Sequence, residues 1–359
     1  MDRTFNANPR FAMEIWRFLA ENDNGVTNFH SEIESACFTE EQFRLLESVR
    51  PGLFQFEIGV QSANPDTLRA VERRAGLEEL RSAAERLRAG RNIHLHLDLI
   101  AGLPFEGYES FRRSFNFVYS LGPDQLQLGF LKLLKGSGLR RDAAQYGILY
   151  RDEPPYEVLS TRELTFGELL TLKEIEEQVE LYHNSGRFGA SLRYLLSLAE
   201  EPFGFFEELA RLRREMGLHL APSSLLGQYE TLYRCGCGME GCDPERLGYC
   251  MRFDLYAHEK ARKLPDWLPG LDSPAARQAR REFFADPALR ARYLPEYAGE
   301  DPKRTERLAH LDFFPFDPVG EGGPCAYLFR YRRTGSPDGQ FSAIKIENHA
   351  TVRLFRDTI

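Results

Sequence analysis

The stretch Phe54-Gln-Phe-Glu-Ile-Gly-Val-Gln-Ser62 decides the fold. Successive side chains of a strand point to opposite faces, so Phe54, Phe56, Ile58 and Val60 share one face and Gln55, Glu57, Gly59 and Gln61 the other. Ile93-His-Leu-His-Leu-Asp-Leu-Ile100 repeats the pattern, with Ile93, Leu95, Leu97 and Leu99 opposed by His94, His96 and Asp98. Asn28-Phe-His-Ser-Glu-Ile33 is a shorter run of the same kind. A helix-length amphipathic stretch follows each run, which predicts parallel strands covered by helices. The polar rows then face a barrel interior, where ionisable groups are costly unless they hold a ligand.

Outward from these strands, helical spacing is read over 9–22, with Phe11, Ile15, Phe18 and Leu19 as its apolar positions, and over 40–48, 66–74, 77–88 and 108–121. Gly102-Leu-Pro104 closes the third strand, and 125–134 reads as the last of the series. Repeated βα units of this kind are the pattern of a (β/α) barrel whose site lies at the C-terminal strand ends. The character changes beyond about residue 150. Long helical stretches, with Leu192, Leu195, Leu196 and Leu198 as core, lead to a Pro-punctuated, Arg-rich region. Ala326-Tyr-Leu-Phe-Arg-Tyr331 and 341–346, separated by Gly335-Ser-Pro-Asp-Gly339, predict a terminal β-hairpin. The fold class is therefore α/β, with a (β/α) barrel portion over 1–150 and a mainly helical C-terminal extension over 151–359.

The chain has 359 residues, 42% of them hydrophobic and 28% charged, without a long uncharged apolar run, so a soluble protein with no membrane span is expected. The first residues contain no apolar signal-peptide core, and a cytoplasmic location is the default. A formal net charge of -8 gives no general attraction to nucleic acid or anionic lipid. The arginines of 211–214 and 277–281 are read as solvated helix faces. Cys235-x-Cys237-x4-Cys242-x7-Cys250 has a ligand-like spacing for an auxiliary iron-sulfur cluster or a structural zinc, both left open. His94, His96 and Asp98, on one strand face, form an alternative zinc or iron set, as in a metal-dependent barrel hydrolase.

Glu57-Ile-Gly-Val-Gln61, then Arg73, then Asp98-Leu-Ile-Ala-Gly-Leu-Pro104 together resemble the radical-SAM enzymes, closest to their coproporphyrinogen-oxidase-like and cobalamin-binding branches. Asp2-Arg-Thr-Phe-Asn6, Gly129-Phe-Leu-Lys-Leu-Leu-Lys135, Pro154-Pro-Tyr-Glu-Val-Leu159 and Asn184-Ser185 extend the resemblance to a cobalamin-type subfamily whose C-terminal extension is a domain of unknown function. The resemblance implies that Glu32, Gln61, Arg73 and Asp98 bind S-adenosylmethionine. Gln61 and Asp98 would meet the ribose, Arg73 the methionyl carboxylate, and Glu32 the amino or ribose end. Gly129 to Lys132 would lie near the adenine, and Tyr156 and Glu157 over the barrel mouth.

Members of that family hold a [4Fe-4S] cluster on CxxxCxxC, and this sequence contains no such spacing. The resemblance thus implies a partial barrel lacking its first strands and a cobalamin domain, with an exposed strand edge and poor solubility alone. The missing N-terminal half would act in trans, or the chain would be a non-catalytic accessory subunit of a split barrel.

Overall fold

The structure is a computed structural model that describes residues 4–73, 76–218, 224–261, 264–271, 273–297, 299–331 and 342–346. The chain divides into two compact units: 1–186 with 199–223, and 187–198 with 224–359.

The first unit is built on α1 (Pro9–Glu21), β1 (Phe29–Glu32), α2 (Glu40–Ser48), β2 (Phe54–Gln61), α3 (Pro65–Ala70), α4 (Leu77–Ala89), β3 (His94–Ala101), α5 (Tyr108–Ser120) and β4 (Gln125–Phe130). The four strands form one parallel sheet in the order β1-β2-β3-β4. That sequential order, with helices in the crossovers, makes the unit a mixed α/β fold on a parallel sheet. Local signals start the helices: Asn8 caps α1, and Thr39 with Gln42 forms a capping box on α2. Phe54, Phe56, Leu95, Leu97, Leu99 and Leu126 are all fully buried on one sheet face, each adding roughly 1.5–3 kcal/mol by leaving water.

Along α1 the structure departs from the expected pattern. Ala12 and Trp16 form the buried seam, whereas Phe11 and Phe18 are 49% and 62% exposed. Both flanks of the helix are apolar, and spacing alone does not say which one meets the sheet.

The unit continues through α6 (Gly138–Arg141), a short antiparallel pair of β5 (Leu149–Tyr150) and β6 (Val158–Ser160), and α7 (Phe166–Gln178). A π turn over Val179–Asn184 extends α7 and brings Asn184 to β4, where its amide accepts from Leu126 N and donates to Leu126 O, both at 2.9 Å. One side chain thus stands in for a ladder partner on that edge strand.

The second unit begins with α8 (Gly189–Leu198). After α9 (Pro202–Glu215), which belongs to the first unit, follow α10 (Leu225–Cys237), α11 (Pro244–His258), α12 (Pro274–Ala285), α13 (Pro287–Tyr293) and α14 (Pro302–Glu306). The chain then enters β7 (Ala309–Phe314), β8 (Cys325–Arg330) and β9 (Ser342–Ile346), an antiparallel sheet in that order. The expected hairpin is β8 with β9; its Gly335–Gly339 connection lies outside the described residues. β7 was not anticipated, because its burial does not alternate: five of its six residues are buried.

Two arginines read as solvated are not. Arg213 is 3% exposed and donates to Glu177, Gln178 and the Leu218 carbonyl. Arg280 reaches Asp312 and the Leu311 carbonyl. In both, the guanidinium finds fixed acceptors within its own unit.

Candidate functional site

Parallel register stacks the polar face of the first sheet into rows. His30 lies opposite Gln55, and Gln55 opposite His94; Glu32 lies opposite Glu57, and Glu57 opposite His96; Gly59 lies opposite Asp98, and Asp98 opposite Gln127. Three carboxylates, three imidazoles and two amides thus share one surface.

At the C-terminal end of β2 the pairing with β3 slips between Gly59 and Gln61, and Gln61 adopts φ 63°. A left-handed glutamine costs roughly 1–2 kcal/mol, so its neighbours must hold it there. Arg73 does so. Its Nε donates to Gln61 Oε1, its Nη2 to the Gly59 carbonyl at 2.7 Å, and its Nη1 to Glu34 Oε2 at 3.2 Å. Three of the five guanidinium N–H groups are used in this way. Gly59 is needed because a Cβ there would come within 2.2 Å of Gln61 Nε2 and 2.6 Å of Arg73 Nη2.

Asp98 sits beside this knot across the Gly59 register. Burial, then the nearby Glu57, push its carboxyl up to about 7 against the pull of Arg73, and Glu32 adds to the rise. Its Oδ1 is buried without a hydrogen-bond partner. An orphaned carboxylate oxygen beside a half-engaged arginine fits a ligand that brings hydroxyl donors and a carboxylate, as the ribose and methionyl ends of S-adenosylmethionine do. The structure therefore gathers Gln61, Arg73 and Asp98, with Glu32 close enough to influence Asp98. It also adds Glu34, absent from the sequence reading although it follows Glu32 at the two-residue spacing of one strand face.

The residues carried here do not supply a cluster for that ligand. The six cysteines stand at 37, 235, 237, 242, 250 and 325, and no three have the CxxxCxxC spacing. Cys235 and Cys237 lie on the last turns of α10 rather than in a loop, and Gly236 between them is a close-packing position, where a Cβ would meet Leu247 at 2.5 Å. Cys250 is buried in α11, and that burial pushes its thiol up to about 12. Among the described residues, the His, Cys, Asp and Glu side chains that converge on one point are His30, Glu57 and His96, not the four cysteines. Nor do His94, His96 and Asp98 converge: neighbours on one strand face are about 6.6–6.8 Å apart, whereas adjacent strands are about 4.8 Å apart. The convergent set is drawn across three strands, and only His96 belongs to both.

Glu106, in the turn after β3, is fully buried and accepts from Ser62 Oγ at 2.7 Å and Ser114 Oγ at 2.8 Å. Burial pushes its carboxyl up to about 7 despite Ser62, Ser114, Ser110 and the Arg113 charge. A folded-state value above the ordinary 4.5 of a glutamate means that, between the two, the folded chain holds a proton that the unfolded chain has lost. Stability is then greatest at and below the unfolded value and is lost as pH rises through the folded one. We expect urea unfolding midpoints to fall between pH 5 and pH 8, with Glu106→Gln removing about 3 kcal/mol of that pH dependence. An unchanged slope in the variant would refute this assignment.

A family model described as a protein of unknown function (DUF4080) matches residues 144–321. Over 115 residues, 32% of this chain, the sequence is 30% identical to the oxygen-independent coproporphyrinogen-III oxidase-like protein HemZ of Bacillus subtilis (strain 168), covering 23% of it. Over 125 residues, 34% of this chain, it is 30% identical to the tRNA-2-methylthio-N(6)-dimethylallyladenosine synthase of Buchnera aphidicola subsp. Schizaphis graminum (strain Sg), covering 28% of it. The chain spans about a quarter of the length of these curated relatives. Among solved structures it is similar to the radical S-adenosylmethionine methyltransferase TsrM of Kitasatospora setae, with TM-score 0.36, 16% identity, and coverage of 43% of this chain and 32% of that one. It is also similar to coproporphyrinogen III oxidase (HemN) of Escherichia coli, with TM-score 0.35, 22% identity, and coverage of 48% and 37%. No helix among the described residues is long and apolar enough to cross a membrane.

Proposed function

We propose that the first unit binds S-adenosylmethionine at the C-terminal ends of its parallel strands, as part of a radical-SAM-type enzyme. The observation that carries this reading is the strand-end knot of Gly59, Gln61 and Arg73 beside the orphaned Oδ1 of Asp98. Arg73 takes the methionyl carboxylate by exchanging it for Glu34, Asp98 and Gln61 take the ribose hydroxyls, and Glu32 closes the amino side. Each role matches the donor or acceptor capacity of the side chain.

A [4Fe-4S] cluster, when bound, supplies the electron that cleaves the sulfonium, and cobalamin, when bound, relays a methyl group. In this proposal both are held by polypeptide other than these 359 residues, in cis or as a partner in trans. The open edge of β1 and the outward Phe11 and Phe18 of α1 support a further segment lying along that side. The DUF4080 region is proposed to select a substrate.

The test is calorimetric titration of the full chain with S-adenosylmethionine. Wild type binds, and Gly59→Ala weakens binding at least ~10-fold with little change in thermal midpoint, because the added Cβ displaces flexible side-chain ends rather than backbone. Absence of binding, or unchanged affinity in Gly59→Ala, would overturn the reading.

A further inference from the structure

We infer that His30, Glu57 and His96 form a binding site for one divalent transition metal of zinc type, separate from the strand-end knot. The three side chains come from β1, β2 and β3 and meet on the polar face. His30 Nε2 lies 3.0 Å and His96 Nδ1 3.8 Å from the same Glu57 oxygen, Oε2. Donors around a tetrahedral zinc are about 3.3 Å apart, given bonds of about 2.0–2.1 Å, so small side-chain rotations bring all three onto one ion. Two imidazoles and a carboxylate, without a thiolate, are the donor set of zinc and of non-haem iron(II).

A second observation points to a ligand. His96 is 5% exposed, its Nε2 is buried without a hydrogen-bond partner, and its Nδ1 is too far from Glu57 for a hydrogen bond. A buried imidazole seldom leaves its polar capacity unmet, and a metal would satisfy Nδ1, the nitrogen that faces Glu57 without bonding to it. Gln127 is the polar neighbour of the ring, and a metal on Nδ1 would fix the remaining proton on Nε2. Glu32, Glu57 and Asp98 lie near one another and bias the face toward cations.

Exposure is graded around the site. His96 is enclosed, Glu57 is half-buried, and His30 is 46% exposed, so coordination positions remain open on one side. That side borders a cavity of about 460 Å³ to which His30, Glu57 and Glu32 contribute polar groups and Phe5, Trp16 and Leu19 an apolar wall. An ion with open positions against such a space can take water or a small oxyanion.

The test uses the full chain, stripped with a chelator and titrated with cobalt(II) and then zinc(II), with no S-adenosylmethionine present. One equivalent of cobalt should bind with visible d–d bands and no sulfur charge-transfer band, and zinc should displace it. His30→Ala and Glu57→Gln should each weaken binding at least ~100-fold while circular dichroism stays unchanged, and Cys237→Ala should leave it intact. His30 is exposed on an edge strand, so its loss does not endanger folding. No binding at tenfold excess, binding that survives both substitutions, or a sulfur band abolished by Cys237→Ala would each overturn the inference.

Discussion

In Arg73→Ala, affinity for S-adenosylmethionine falls ~10- to 100-fold, the equivalent of about 1.5–3 kcal/mol for a hydrogen-bonded charged group. The effect has two sources. The substitution removes the guanidinium that takes the carboxylate in place of Glu34, and it releases the clamp on Gln61 Oε1 and the Gly59 carbonyl. Gln61, held at φ 63°, is then free to leave the left-handed region, and the ribose contact is lost with it. Arg73→Lys separates these contributions: an ammonium retains the charge but not the fork, so its affinity should fall between wild type and alanine. Equal binding by all three proteins, measured by calorimetry, would remove Arg73 from the site.

Asp312→Ala destabilises the second unit by about 3–5 kcal/mol, enough to unfold a marginal domain. Asp312, on β7, is fully buried, and that burial opposes its charge. The nearby His310 imidazole, 3.8 Å away, and the Arg252 guanidinium nevertheless hold its carboxyl below the usual carboxylate range. Arg252 donates to Oδ2 and Arg280 to Oδ1, the latter at 2.9 Å. Arg252 is itself 7% exposed, so deleting the aspartate strands a buried cation. Asp312→Asn keeps the shape and loses the charge, and it should show a smaller but clear loss in urea unfolding. Unfolding midpoints unchanged in both variants would show that the pair of arginines is satisfied elsewhere.

The parallel sheet was legible because Phe54 to Gln61 and His94 to Leu99 alternate apolar with polar residues, and each is followed by a helix-length amphipathic stretch. β7 was not, because Ala309 to Phe314 is buried on both sides and a short apolar run carries no period. The strand-end residues Gln61, Arg73 and Asp98 were legible through motif spacing. Glu34 was not, since its ion pair with Arg73 spans 39 positions. The His30, Glu57 and His96 cluster depends on inter-strand register, with Glu57 opposite Glu32 and His96, and sequence distance does not encode that alignment. Arg213 and Arg280 were misread for a similar reason: a charged helix position does not reveal whether a carboxylate waits beneath it.

The most direct test of the central claim is the crystal structure of this chain with S-adenosylhomocysteine, which keeps the ribose and the amino-acid end. The account predicts the ligand carboxylate on Arg73, with Glu34 displaced, and the ribose hydroxyls on Asp98 and Gln61. A ligand bound elsewhere, with Arg73 still on Glu34 and the Gly59 carbonyl, would contradict it.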